Sequence, residues 1–426
     1  MEFATLFNEL NQQLHSDIIP QVISIVANSA PLWLPIILWK IFWPLWVDYV
    51  RAEYFLSEAY TLLEIKLPKE TLKSPLAMEL FLTSLHQTSG EGNLYDKFWL
   101  GKTRPWFSLE IVSIEGDVHF FIWMRKSWKN FIESSLYAQF PGIEIYDREH
   151  SDYARALHFD GKTMAAWPCE LELTKPDPYP IKTYVDYGLD KDPKEEFKVD
   201  PLAPLIEFLG SMGANQQIWI QIIVRAHKSE RLKAGHFFKY EDSWKEDAKK
   251  EINTILVRDA KTKVAGTENE QGFLVSPTIT KGEQDVVAAL ERSLTKQAFD
   301  VGIRGIYIAN KKEFFSKSNI SGLTGSFKQF SSEHLNGFKP NGSVWGPSFS
   351  FPWQDFRDYR KNRMISRFLA AYRRRAFFFP PEVGKAMVLN TEELATIFHF
   401  PGQVAAAPTL TRIGSKKSEA PSNLPI

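Results

Sequence analysis

A long apolar stretch from Ile18 to Val47 constrains this chain more than any other feature. A helix rising 1.5 Å per residue needs about 20 apolar residues to cross a ~30 Å hydrocarbon core. Val22 to Ile41 supplies that length and carries no charge before Lys40. Lys40 then falls at one interface, where its stem can snorkel. Trp39, Trp43 and Trp46 gather at the same end, as an aromatic belt requires, and Trp33 lies further in. The expected anchor spans residues 1–57, with the transmembrane part at about 22–47. Gln21, Ser24, Asn28 and Ser29 dilute the first half. Pro31 and Pro35 are expected to kink the helix or start a new one. A helix lying in the interface and a buried core helix are the alternatives.

No Lys or Arg precedes Lys40, whereas Arg51, Lys66, Lys69 and Lys73 follow. Positive charge favours the cytoplasmic side, so the N-terminus is expected outside and the body in the cytoplasm, at the plasma membrane. A cleaved signal peptide needs a basic first region. The first fifteen residues carry Glu2 and Glu9 and no basic side chain, which argues against one.

Beyond the anchor, the pattern is α+β. Thr61–Pro68 alternates as a strand, and Ser74-Pro75 supplies a cap and a first-turn proline. Trp106–Glu115 and Val118–Arg125 read as a hairpin about Gly116-Asp117. Ser127 opens a helix, and Ile143–Tyr146 ends the set. That order, β-α-β-β-α-β over residues 58–150, is the ferredoxin-like pattern. A second, degenerate unit is expected over 151–312. Cys169–Leu173 begins it, with Ile181–Val185 as a further candidate strand. Pro201-Leu202-Ala203 with Phe208-Leu209 echoes Pro75-Leu76-Ala77 with Phe81-Leu82. Ile218–Val224 alternates, a charged helical insertion occupies about 228–282, and Ile303–Ala309 is expected to close the unit. Residues 313–404 read as a helical and irregular region with loop over Gly337–Trp353. Residues 405–426 read as a flexible tail.

The 51 basic and 51 acidic residues cancel, so the whole chain has no bias towards nucleic acid. Cys169 is the single cysteine; it excludes an internal disulfide and reads as a small buried hydrophobe. Phosphate-loop, dinucleotide, zinc-protease and nucleophile-elbow motifs are missing. Gly322-Leu323-Thr324-Gly325-Ser326 with Lys328 could wrap an anion at a helix start, but lacks the full spacing. His227 and His236 complete no ligand set. No enzyme activity and no cofactor are expected. The pointed feature is a helix over Asp355–Arg375 carrying Arg360, Arg363, Arg367, Arg373, Arg374 and Arg375, with Tyr359, Phe368 and Tyr372 interleaved. Such a face meets nucleic-acid phosphate, anionic lipid or an acidic protein partner, or is simply solvated.

Several C-terminal motifs carry a family resemblance: GIRGIY from Gly302, GLTGSFKQF from Gly322, LNGFKP from Leu335, PWQDFR from Pro352, AYRRR from Ala371, LNTEEL from Leu389 and HFPG from His399. The run resembles an uncharacterised bacterial single-pass membrane-protein family related to the N-terminal, non-motor regions of type IV secretion and conjugation ATPases. The resemblance implies a membrane-docking module whose partners are the lipid bilayer, a separately encoded P-loop ATPase and further copies of itself. A nucleic-acid-binding subunit using the basic helix is the alternative. No Walker motif is present, so ATP hydrolysis does not carry over.

Overall fold

The computed structural model describes residues 19–68, 74–190, 199–229, 231–232, 240–264, 280–341, 351, 353–380 and 384–402. The expected tail over 405–426, His236 and most of the Gly337–Trp353 loop lie outside the described residues. The chain divides into two compact units: residues 1–57 with Gly90–Thr103, and Glu58–Ser89 with residues 104–426.

The first unit is built on α1 (Ile19–Ser57), with Pro31, Pro35 and Pro44 inside it. No new helix starts at Pro31 or Pro35, because the helix runs through both. A proline removes one backbone donor, and the rest of the ladder carries the helix through. Ile25, Leu32, Ile36, Leu38, Trp39, Ile41, Phe42 and Leu45 are exposed, so α1 is not a buried core helix. It is the one described helix long and apolar enough to cross a membrane.

The second unit is a mixed α+β body around one antiparallel sheet. Its first set comprises β1 (Tyr60–Lys66), α2 (Pro75–Ser84), β2 (Trp106–Ile114), β3 (Asp117–Arg125), α4 (Lys129–Gln139) and β4 (Glu144–Asp147). The short α3 (Leu94–Phe98) falls between α2 and β2 but belongs to the first unit. Ser74 caps α2, accepting from the Leu76 amide at 3.1 Å. Glu115 and Gly116, both at positive φ, form the two-residue loop between β2 and β3. Ser127 does not cap α4; it lies in a 3-10 turn over Lys126–Trp128.

The chain then forms α5 (Tyr153–Ala156), β5 (Ala165–Leu173), α6 (Ala203–Gly210) and β6 (Gln216–Ala226). A minor pair, β7 (Arg231–Leu232) and β8 (Tyr240–Glu241), leads into α7 (Ser243–Val264) and α8 (Lys281–Leu294). Next come β9 (Ala298–Ala309), α9 (Lys317–Gly325) and β10 (Phe338–Pro340). Last are α10 (Tyr359–Arg374), β11 (Met387–Asn390) and α11 (Thr391–Ile397).

The strand order is β10-β5-β9-β6-β2-β3-β1-β4, with β11 also on β9. Every pairing is antiparallel. The sheet thus reads outward from β2 and β6 in the same order on both sides: second strand, third, first, fourth. Three expectations change. Ile303–Ala309 does not close the second set; it lies in β9, the third strand, between β5 and β6. The fourth strand is β10, so the 313–404 region is not only helical and irregular. Ile181–Val185 is no strand: it runs irregularly into a turn that starts at Tyr184. The first two follow from pairing: β9 is long, apolar and paired on both sides, by β5 and β6, and only three residues of β10 reach the edge.

One sheet face carries Leu63, Ile65, Leu109, Ile122, Ile220, Ile222, Val301 and Ile303, and packs with Phe81, Leu205, Leu323 and Leu394 from the helices. Alternate residues face the other way. There Glu110 registers with Gln221, Gln221 with Arg304, and Arg304 with Glu170. A row of polar side chains therefore crosses the seam between the two sets, buried beneath α5 and α10.

Candidate functional site

The basic helix is shorter than its sequence pattern. Arg357 and Asp358 sit at positive φ, and regular helix starts at Tyr359. Asp355 provides the cap, accepting from the amides of Arg360 at 2.7 Å and Lys361 at 2.9 Å. A carboxylate there also complements the helix dipole. Ile365, Phe368, Leu369, Ala371 and Tyr372 form the buried stripe. Phe368 and Tyr372 are therefore structural, and only Tyr359 of the three interleaved aromatics is exposed.

The arginines separate into three environments. Arg360, Arg363, Arg367 and Arg374 are exposed and share the outer side with Arg357 and Lys361. Arg373 is half-buried and donates to the carbonyls of Ala154 at 2.9 Å and Leu157 at 2.6 Å, closing the end of α5. Arg375 is wholly buried, so its expected role towards a partner or phosphate is corrected. Its guanidinium donates to both Glu110 oxygens, at 2.9 and 3.1 Å, and to both Asp152 oxygens, at 2.5 and 3.2 Å. At φ 51 it ends the helix in the left-handed region, a conformation its side-chain pairs hold in place.

Glu110 is the centre of this network. Beyond Arg375 it accepts from Ser108 at 2.7 Å, Tyr153 at 2.7 Å and Gln221 at 2.8 Å. Arg304 donates to Gln221 at 2.7 Å and to the carbonyls of Ala376 and Ala371 at 3.0 Å. Burial pulls the Arg304 guanidinium down to about 10, still charged at neutral pH. Burial also pushes the Tyr153 and Tyr372 hydroxyls, 2.9 Å apart, well above their ordinary range. The network clamps α10 over the seam and leaves its outer side cationic. At the start of α10, Trp353, Phe356 and Tyr359 are 77%, 75% and 67% exposed, and Arg357 lies 5.1 Å from the Phe356 ring. PWQDFR supplies Trp353 and Phe356, and Tyr359 follows the left-handed turn at Arg357 and Asp358.

Other candidate groups resolve into structural roles. Gly322–Gly325 lies in the last turns of α9, where the amides are used in the helix, so no anion cradle forms. A Cβ on Gly322 would lie 2.3 Å from the Phe208 ring. Gly322→Ala is expected to cost about 1–3 kcal/mol in a denaturation curve, as overpacking does. The Cys169 thiol is buried and pushed up to about 12 by that burial. No group of acidic, histidine or cysteine side chains suited to a metal ion occurs among the described residues.

His227 follows the last residue of β6, 2.6 Å from Asp300 and 3.3 Å from Asp242. Burial opposes its charge, but the Asp300 and Asp242 carboxylates outweigh it, and the imidazole titrates above its ordinary range. A raised folded-state value contributes stability that is full below the unfolded value and fades as pH rises through the folded one. Thermal melts should therefore lose a stabilising step above about pH 6.5, and His227→Gln should flatten that step.

In the first unit, Trp33, Trp39, Lys40, Trp43 and Trp46 all lie on α1 as expected. Trp39 and Trp43 stack at 5.2 Å, and Phe42 and Trp46 at 6.1 Å. The match to known proteins covers mostly the second unit. The family model described as a domain of unknown function, DUF8128, matches residues 52–411. No curated protein matches the chain. The matched span takes in β1, the polar seam, the basic helix and α11, so the chain belongs to the DUF8128 family.

Proposed function

We propose that this protein is a non-catalytic, membrane-anchored scaffold that docks a separate P-loop ATPase in a type IV secretion- or conjugation-like apparatus. In this reading α1 spans the plasma membrane with the N-terminus outside, and the second unit is cytoplasmic. The two strand sets are ferredoxin-like units joined edge to edge through β2 and β6, a reading supported by their common strand order. The secretion context rests on the motif resemblance. The observation that carries docking is the outer side of α10: Arg360, Arg363, Arg367 and Arg374 exposed on a helix whose inner side is locked by Arg375. A rigid cationic face suits an acidic protein surface because it loses little freedom on binding.

The test compares the detergent-solubilised wild type with a variant carrying Glu at 360, 363, 367 and 374. A P-loop ATPase recovered from the native host with the wild type and lost with the variant supports the proposal. Equal recovery with both overturns the role of α10, and recovery of no ATPase overturns the docking reading.

A nucleic-acid-binding role is the second reading, favoured by the exposed Trp353, Phe356 and Tyr359 beside the arginines. It requires salt-sensitive binding of DNA by the purified chain. The logarithmic salt slope would fall by about 0.9 for each phosphate contact removed.

A further inference from the structure

Gly90–Thr103 follows α2 in sequence but belongs to the compact unit of the long N-terminal helix. The segment is tied to α1 by specific contacts. Trp46 Nε1 donates to the Phe98 carbonyl at 3.0 Å. The Trp43 ring lies 5.2 Å from Phe98 and 6.2 Å from Trp99. Gly101, at φ 61, lets the backbones meet: a Cβ there would lie 2.3 Å from the Val50 carbonyl oxygen. Asn93 caps α3, accepting from the Asp96 amide at 2.8 Å. The segment is thus a built element, yet its outer side is apolar. Leu94, Tyr95, Trp99 and Leu100 are 73%, 60%, 55% and 40% exposed. Lys97 lies 5.8 Å from the Phe98 ring, and Lys102 pairs with Asp96 at 2.9 Å.

We propose that Gly90–Thr103 is a second membrane-contacting element, seated in the headgroup layer at the Trp39–Trp46 end of α1. The proposal rests on α1 spanning the bilayer. Depth follows from contact: Trp43 is one helical turn, about 6 Å, from Trp39, and Trp99 packs on Trp43. If the tryptophans of α1 mark the interface, Trp99 shares their depth. The occupant is lipid because the segment packs on Trp43 and Trp46 of α1, and its exposed side chains match in chemistry the exposed Trp39, Phe42, Leu45 and Tyr49 of that helix. Tyr and Trp with flanking lysines suit a layer that is apolar on one side and wet on the other. The element widens a single helix into a two-part foot.

The full chain offers a clean test, since Cys169 is buried with its thiol held protonated. Trp39→Cys, Trp99→Cys and Leu94→Cys are each labelled with an environment-sensitive dye and reconstituted into phosphatidylcholine–phosphatidylglycerol vesicles. Leu94 makes the test independent of the Trp43–Trp99 packing. Lipids brominated near the headgroup should quench the dye at all three positions. Quenching at 39 but at neither 94 nor 99 overturns the inference and leaves the anchor standing. No quenching at 39 overturns the spanning reading and the inference with it.

Discussion

Arg375→Ala is expected to destabilise the sheet unit by about 3–5 kcal/mol in chemical denaturation, the usual cost of removing one partner from a buried ion pair. The substitution strips Glu110 and Asp152, both buried, of the guanidinium they share, leaving Asp152 the exposed Arg155 at 3.5 Å. It also opens the end of α10 over the seam between β2 and β6. Arg375→Lys should recover only part of the loss, because an ammonium cannot serve two carboxylates with the fork geometry of a guanidinium. Arg375→Met with Glu110→Gln should also recover part, since one of the two buried carboxylates is neutralised along with the cation they share. Arg374→Ala, one residue earlier and exposed, should stay within about 0.5 kcal/mol. Equal effects at 374 and 375 would contradict the burial pattern described above.

The second large effect concerns the anchor. Leu32→Arg combined with Leu34→Arg should move the protein from the carbonate-resistant membrane fraction to the extractable one. Each arginine in the middle of a spanning helix costs about 2.5–3.5 kcal/mol on insertion scales, and the two together approach the full preference for insertion. Leu32 and Leu34 are both exposed on α1, so the substitutions disturb no packing within the protein. A helix lying flat in the interface would behave differently, because arginine there can reach water. Resistance to extraction retained by the double variant would therefore favour an interfacial α1 over a spanning one.

Local order was readable where chemistry and position coincide within a few residues. Asn390 and Glu393 form the capping box that their spacing announces, with the Asn390 side chain and the Glu393 amide 2.9 Å apart. Ser74-Pro75 opens α2 as its residue types require. The apolar length of α1 needed no partner to be recognised, since it depends on composition alone. The strands alternating between Tyr60 and Tyr146 were readable because alternation is itself a local pattern, although Gly90–Thr103 departs to the first unit between α2 and β2. Ser127 misled because a capping residue type is necessary for a cap and not sufficient; the 3-10 turn over Lys126–Trp128 takes the helix start further on.

The candidate site was only half legible. Six arginines on one segment read as a single charged face, yet Arg360 and Arg375 lie fifteen positions apart and meet opposite environments. A sequence supplies charge and spacing, whereas the partners of Arg375 come from β2 and the turn before α5, more than two hundred residues away. The Gly90–Thr103 segment was illegible for a related reason: nothing in its composition states that Trp46 and Trp43 lie beside Phe98. The long β9 looked like a closing strand because the insertion before it hides its place in the order. Sequence alone determined the spanning-length helix, the alternating strands, the caps and the lack of known catalytic motifs, all of which depend on neighbours along the chain. Tertiary structure alone decided which arginines face water, which strand is central, and which loop returns to α1. Those outcomes depend on pairings across long sequence distances, which local pattern does not encode.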